Sequence, residues 1–312
     1  MTGPVVLAVD VGGTKVEAAL VDSVGSVVDG SRFRAPTGPT RTADELDAAV
    51  TSVIDRVLDR LGGLRLIGVG VSCAGPVDER AGTVSPINLA VWHRHPLRDV
   101  VAGWVARRSP NVPVAFARDG VAIALAEHWV GAGRGVENML GMVISTGIGG
   151  GMILGGRVIG GNAGHIGQIE VSEFTGELSL GRRTTLESVA SGPHIVDWAR
   201  AQGWAGTTGE DLARARAGGD ERADRAIARL ADAVGQGISS AAALLDIDLV
   251  VVGGGFARVA PDLIELIGAR VAQHPLDYVA RVRVVAAGLG DAAPLVGAAA
   301  FIHRADLMPP AR

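Results

Sequence analysis

Val5-Val6-Leu7-Ala8-Val9-Asp10-Val11-Gly12-Gly13-Thr14-Lys15-Val16-Glu17-Ala18-Ala19-Leu20-Val21-Asp22 reads as an apolar strand, a tight glycine turn and a second strand. The same device returns roughly 135 residues later. There Leu140-Gly141-Met142-Val143-Ile144 leads into Ser145-Thr146-Gly147-Ile148-Gly149-Gly150-Gly151, and Met152-Ile153-Leu154 resumes the apolar run. A strand-turn-strand unit repeated at half-chain spacing points to two related α/β halves rather than a solenoid, whose period would be far shorter. A glycine turn after a buried strand also lets backbone N–H groups approach phosphate oxygens. Neither turn spells G-x-x-x-x-G-K-[ST], and neither spells G-x-G-x-x-G at a strand-to-helix junction, so P-loop and dinucleotide-binding readings are weak.

Working outward, a third strand is expected over Gly25 to Phe33. Thr42 with Glu45 three residues on forms a capping box. Leu46, Val50, Ile54, Val57, Leu58 and Leu61 then recur at helical spacing until Gly62-Gly63 ends the run. A buried strand, Leu66 to Val71, leads into the loop Ser72 to Asp78. Further on come a helix over about Asp220 to Leu245, a strand over Leu249 to Val252 and the loop Gly253-Gly254-Gly255. A helix over Pro261 to Gln273, a strand over Val282 to Ala286 and an Ala-rich helix over about Asp291 to His303 complete the chain. Alternating strands and helices mean an α/β fold.

Composition sets outer limits. At roughly 100–200 residues per domain, 312 residues suggest two domains. With 48% hydrophobic and 20% charged residues, disorder and fibrous folds are excluded. The 29 basic and 33 acidic side chains sum to −4 with no basic block, so nucleic acid is not an expected partner. One cysteine, Cys73, excludes a disulfide framework. Apolar stretches break well short of the ~20 residues of a membrane span, and no basic-then-apolar leader opens the chain, so a cytoplasmic location without membrane attachment is expected. Lys15 is the sole lysine, and its place inside the glycine turn makes a phosphate-facing ammonium one explanation for it, with chance and codon bias the other.

These residues resemble a known family. Asp10 to Lys15, the Ser145–Gly151 loop and Val251-Val252-Gly253-Gly254-Gly255 are similar to the two phosphate motifs and the adenosine motif of the sugar kinase/actin/heat-shock ATPase superfamily. Within it the chain resembles the ROK family of bacterial glucokinases, N-acetylhexosamine kinases and related repressors. The resemblance implies a ribonuclease-H-like, two-lobed fold with ATP and Mg²⁺ in the interdomain cleft and a sugar hydroxyl phosphorylated. It also implies a small lobe over residues 1–117, to which a last helix at about 291–312 returns, a larger lobe over 118–290, and a homodimer. Expected ATP contacts are Gly12, Gly13, Thr14, Lys15, Thr146, Gly147, Gly149, Gly253, Gly254 and Gly255, with Asp10 holding Mg²⁺ through water.

In ROK kinases an Asn-Asp pair opens a helix, and its Asp takes the proton of the attacking hydroxyl. The matching stretch is Arg118-Asp119-Gly120-Val121-Ala122, which makes Asp119 the expected base. Acceptor contacts implied alongside it are Gly75, Asn88, Arg118, His165 and Glu187. Relatives carry Gly-Glu-Ile-Gly-His and then a Cys-rich zinc segment. Here Gly164-His165-Ile166-Gly167-Gln168 precedes a stretch with Leu178, Leu180 and Thr185 at the cysteine positions, so no zinc is expected.

Arg118 for Asn and His165 for Glu raise the implied pocket charge by about two units, which points to altered specificity. An amino sugar such as kanosamine, with Glu170 a further carboxylate to pair its amine, or a cyclitol of the kind met in antibiotic pathways fits; an ordinary glucokinase is the alternative. A sugar-sensing repressor would carry a helix-turn-helix before the first phosphate motif, and a silent sugar-binding module would not need Asp119. The other histidines, His93, His95, His128, His194, His274 and His303, show no ligand spacing and read as surface or packing residues.

Overall fold

The computed structural model describes residues 3–161, 163–172 and 184–309. In chain order the first elements are β1 (Pro4–Val11), β2 (Lys15–Asp22), β3 (Phe33–Pro36), α1 (Ala43–Leu58) and β4 (Arg65–Cys73). The short hairpin β5 (Val77–Asp78) and β6 (Thr83–Val84) follows, then α2 (Leu97–Ala106), β7 (Val114–Arg118) and α3 (Asp119–Val130). Next come β8 (Met139–Ile144), β9 (Ile148–Leu154), β10 (Arg157–Val158), α4 (Leu186–Ala190), α5 (Gly192–Ala201), α6 (Gly209–Ala217) and α7 (Glu221–Leu245). The last are β11 (Leu249–Gly253), α8 (Leu263–Val271), α9 (Asp277–Ala280), β12 (Arg283–Ala286) and α10 (Ala293–His303).

The repeat seen in sequence is a repeat of topology. One five-stranded sheet runs β3-β2-β1-β4-β7 and the other β10-β9-β8-β11-β12, which is the same order counted within each. In each, the glycine turn joins an antiparallel hairpin, β1 to β2 or β8 to β9, and the hairpin's first strand pairs in parallel with a later one. This is the ribonuclease-H-like arrangement expected. β1 and β2 are buried almost throughout, which is why they read as continuous β-branched and aliphatic runs rather than as alternation. The Thr42–Glu45 capping box starts α1, whose Leu46, Val50, Ile54 and Val57 enter the first core.

Two expectations are corrected. Residues 25–32 do not form the third strand. Asp22 accepts hydrogen bonds from the N–H groups of Val24 (3.0 Å) and Ser26 (2.8 Å), and Gly25 sits at φ +81°, so the chain turns there, touches β2 through the single bridge Val21–Val27 and forms a strand only at β3. The division of the chain also differs: one compact unit holds residues 1–134, 157–161 and 291–312, and the other holds 135–156 and 162–290. Helix α3 thus belongs to the first unit. Its partner is α10, which approaches so closely at Gly297 that a Cβ there would strike the Ala122 carbonyl, while Gly70 gives α10 the same access to β4.

Candidate functional site

In the first unit the strand register assembles the residues. Asp10 on β1 lies opposite Ser72 on β4, Ser72 lies opposite Ala117 on β7, and Asp119 opens α3 directly after that strand. All three strands are parallel, so these groups share the carboxyl ends of the sheet, where open α/β folds bind ligands. The Ser72 hydroxyl donates to Asp10 Oδ1 at 2.6 Å. Burial, with the charges of Asp119 and Glu17 adding to it and the Ser72 hydrogen bond opposing, pushes the Asp10 carboxyl up to about 7. Burial also raises the Asp119 carboxyl, against the Gly120 N–H that it accepts at 2.7 Å and the nearby Arg118 cation. Two crowded carboxylates with high proton affinity suit a proton acceptor beside a divalent cation held through oxygen.

The first glycine turn closes through Gly12 N–H to the Lys15 carbonyl at 2.9 Å, and Thr37 braces it by donating to the Gly12 carbonyl at 2.8 Å. A Cβ on Gly13 would lie 2.8 Å from Asn88 Cβ, so Asn88, itself exposed, stands against the turn. Thr14 is exposed at the tip. Lys15 is placed otherwise than expected. Its ammonium pairs with Glu17 at 2.6 Å, and Arg32 (3.2 Å) and Arg34 (2.9 Å) join the same carboxylate. Glu17 is buried and needs those cations, which accounts for Lys15 without a phosphate.

Arg118 is likewise not turned to solvent. Only 3% exposed, it runs past Gly75 and donates from Nε to the Gly161 carbonyl at 3.2 Å. Burial works against its charge, and the nearby carboxylates of Asp119 and Glu79 favour it.

In the second unit, Glu187 on α4 accepts from the Ile148 N–H at 2.8 Å and from Gln168 Nε2 at 3.4 Å. A Cβ on Gly147 would lie 2.6 Å from Glu187 Oε2, so a side chain there would displace that carboxylate. Gln168, read in sequence only as a lost zinc ligand, thus donates to Glu187, the carboxylate expected from sequence at the acceptor. Thr185, another lost-ligand position, caps α4 by accepting the Ser188 N–H at 3.2 Å. Leu178 and Leu180 lie outside the described residues. Among the described residues no group of three or more His, Cys, Asp or Glu is gathered to hold a metal. His165 is exposed at the start of a short 3₁₀ turn, Ile166–Gln168.

Also in this unit, a cavity of about 640 Å³ opens at the carboxyl ends of β8 and β11. Ser145 and Thr146 of the second glycine turn and Gly255 and Phe256 of the third loop line it. So do Gly192 and Gly209, the first residues of α5 and α6. The N-terminus of α6 is a surface suited to an anion, whereas at α5 the Gly192 N–H already donates to the Ser145 carbonyl and Pro193 has none, and Phe256 offers a ring for a flat base. Gly254, at φ +102°, lets the loop fold against the Ile144 carbonyl. Gly149 and Gly253 lie on β9 and β11 and support these loops.

Sequence reasoning missed Ser72, Glu79, Phe256 and the starts of α5 and α6. Only Ser72, immediately before Cys73 at the end of a buried strand, carried a local signal. Among the described residues, no helix is long and apolar enough to cross a membrane.

Comparison with known proteins agrees with this geometry. The ROK family model matches residues 6–305. An N-acetylmannosamine kinase of Yersinia pseudotuberculosis serotype O:1b (strain IP 31758) is 33% identical over 301 residues, 94% of this chain and 96% of the relative. The crystal structure of a ROK hexokinase from Thermus thermophilus matches with TM-score 0.79 at 29% identity, covering 97% of this chain and 99% of that one. A ROK family glucokinase from Streptomyces griseus, in complex with glucose and AMPPNP, matches with TM-score 0.76 at 28% identity over 96% and 99%. With the family model spanning nearly its whole length and both sheets in the expected order, this chain belongs to the ROK family.

Proposed function

We propose that this ROK sugar kinase transfers the terminal phosphoryl group of ATP to a primary hydroxyl of a hexose-like acceptor. The observation that carries the reading is the pair of carboxylates, Asp10 and Asp119, at the carboxyl ends of β1 and β7. Phosphoryl transfer asks a protein mainly for positioning and charge stabilisation. Asp119 accepts the proton of the acceptor hydroxyl, and its raised pKa strengthens it as a base. Asp10 would hold Mg²⁺ through water, and that ion would neutralise charge on the phosphates. The residues fit such an ion: Asp10 and Asp119 repel one another in its absence, as the raised Asp10 pKa reflects. ATP is read into the second unit's cavity, with phosphates toward Ser145, Thr146 and the N-terminus of α6 and the base toward Phe256.

The acceptor is proposed to be an amino sugar such as kanosamine, or a cyclitol, rather than glucose. Support comes from His165, an exposed imidazole where glucokinase-like relatives carry Glu, and from similarity to N-acetylmannosamine kinases, named for a substrate that is itself an amino-sugar derivative. A coupled ADP-release assay across glucose, N-acetylmannosamine, glucosamine, kanosamine and a cyclitol tests it. The expected result is a kcat/KM for one non-glucose acceptor at least tenfold above that for glucose. Preference for glucose would make the protein an ordinary glucokinase, and no turnover with any acceptor would refute the kinase reading.

A further inference from the structure

Helix α6 walls the second unit's cavity with Gly209, Glu210 and Ala213, yet Leu212 is its one buried residue. A helix so thinly anchored belongs with the elements that open locally at small cost, and polar contacts from outside it then decide where it sits. Arg216, in its last turn, makes such contacts. Its Nη2 donates to Asp262 Oδ2 at 2.8 Å and its Nη1 to Asp262 Oδ1, while Nε donates to Asp224 Oδ1 at 3.0 Å. Asp224 lies in the first turn of α7, and Asp262 immediately precedes α8. All three residues belong to the second unit.

Exposed ion pairs as a rule contribute little, but a two-pronged guanidinium–carboxylate pair extended to a second carboxylate is an exception, because its geometry is fixed. Here that pair joins two walls of one cavity. Asp262 follows closely after the loop whose Gly255, Phe256, Arg258 and Val259 line it. The same loop meets α6 at its other end, where a Cβ on Gly209 would lie 2.8 Å from Phe256 Cε2. Helix α6 is thus joined to the loop at its first residue by packing on the ring and in its last turn by Arg216. We propose that Arg216 and Asp262 are positioning residues for the nucleotide: their pair fixes the spacing between α6 and the Gly255–Val259 loop and so sets how tightly the cavity holds ATP. Neither is among the residues that line the cavity, so both act through Gly209, Glu210 and Ala213. The proposal rests on the reading of that cavity as the ATP site.

Calorimetry of ATP with Mg²⁺ on the full-length protein tests it without requiring turnover. Arg216→Met and Asp262→Asn should each weaken ATP binding at least tenfold, and the double variant should bind no worse than the weaker single one, because both changes break one pair. Steady-state kinetics with the best acceptor should show the same rise in ATP KM, with kcat at saturating ATP and acceptor KM within twofold of wild type. Hydrogen exchange supplies a local readout: ATP should slow exchange over residues 209–217 in the wild-type protein, and both variants should exchange there at least tenfold faster without ligand. Unchanged ATP affinity in Asp262→Asn, multiplicative losses in the double variant, exchange over 209–217 that ignores ATP, or equal losses in kcat and in the affinity for both substrates would overturn the tether and leave the kinase reading in place. A wild-type protein that binds no ATP would overturn both, whereas one that binds ATP but phosphorylates nothing would refute the kinase reading alone. Should Arg216→Met not fold, Asp262→Asn, which keeps the side chain's shape, carries every measurement.

Discussion

Replacing Asp10 by Asn should stabilise the protein without bound ligands while abolishing its activity, and the size of the stabilisation should depend on pH. The Asp10 carboxyl rises from 3.8 to about 7 on folding, chiefly through burial. A carboxyl with a raised folded pKa favours the native state fully below the unfolded value, and that contribution is lost as pH climbs through the folded value. At 1.36 kcal/mol per pKa unit, the wild-type protein carries a penalty of about 2 kcal/mol at pH 5 and about 4 kcal/mol at pH 8. Both figures are ceilings, since Asp10 is only partly buried by area and water relaxes around it. Asn carries no charge, and its amide oxygen can still accept the Ser72 hydroxyl. Denaturant or thermal unfolding of both proteins at pH 5 and pH 8 should show Asp10→Asn more stable, by a margin that widens by about 1–2 kcal/mol toward pH 8. Adding Mg²⁺ with ATP should narrow the gap, because only the wild-type carboxylate gains a cation. A margin independent of pH, or a variant less stable at pH 8, would refute the electrostatic account of this site.

Other outcomes follow from the same geometry. Purified protein should contain no stoichiometric zinc and retain activity after chelation once Mg²⁺ is restored; elemental analysis finding one zinc per chain would mean the 164–187 segment has been misassigned. His165→Glu should raise kcat/KM for glucose relative to the native acceptor tenfold or more, about 1.4 kcal/mol of differential transition-state binding, and an unchanged acceptor ranking would make His165 a passenger. Light scattering at micromolar concentration should report a homodimer, and a monomer would remove that proposal without touching the chemistry.

Much of this was legible in the sequence, because burial on both faces of β1 and β8 leaves unbroken apolar runs and the two turns need glycine. The motif order located Asp10 and Asp119, since each sits at the end of a strand that announces itself. The positions of Arg118 and Lys15 were not legible. A cation beside a site loop looks the same in sequence whether it faces a ligand or turns inward; Lys15 and Glu17, two apart on β2, share a face, but Arg34 joins Glu17 only through the β2–β3 pairing. The unit boundary was missed for a similar reason. α3 joins the first unit through α10, which arrives more than 150 residues later in the chain, at a glycine whose role only the packing reveals. The cavity depends on two helix starts, Gly192 and Gly209, whose convergence no local pattern encodes.

The central claim is that Asp119 is the proton acceptor of a sugar kinase, and single-turnover ADP release by Asp119→Asn tests it most directly. The amide keeps the size of the carboxylate and can still accept the Gly120 N–H, so calorimetry should find ATP and acceptor binding within about threefold of wild type. Loss of general-base catalysis should lower the rate by about a hundredfold or more. A variant that retains a tenth of the wild-type rate with binding intact would contradict the account.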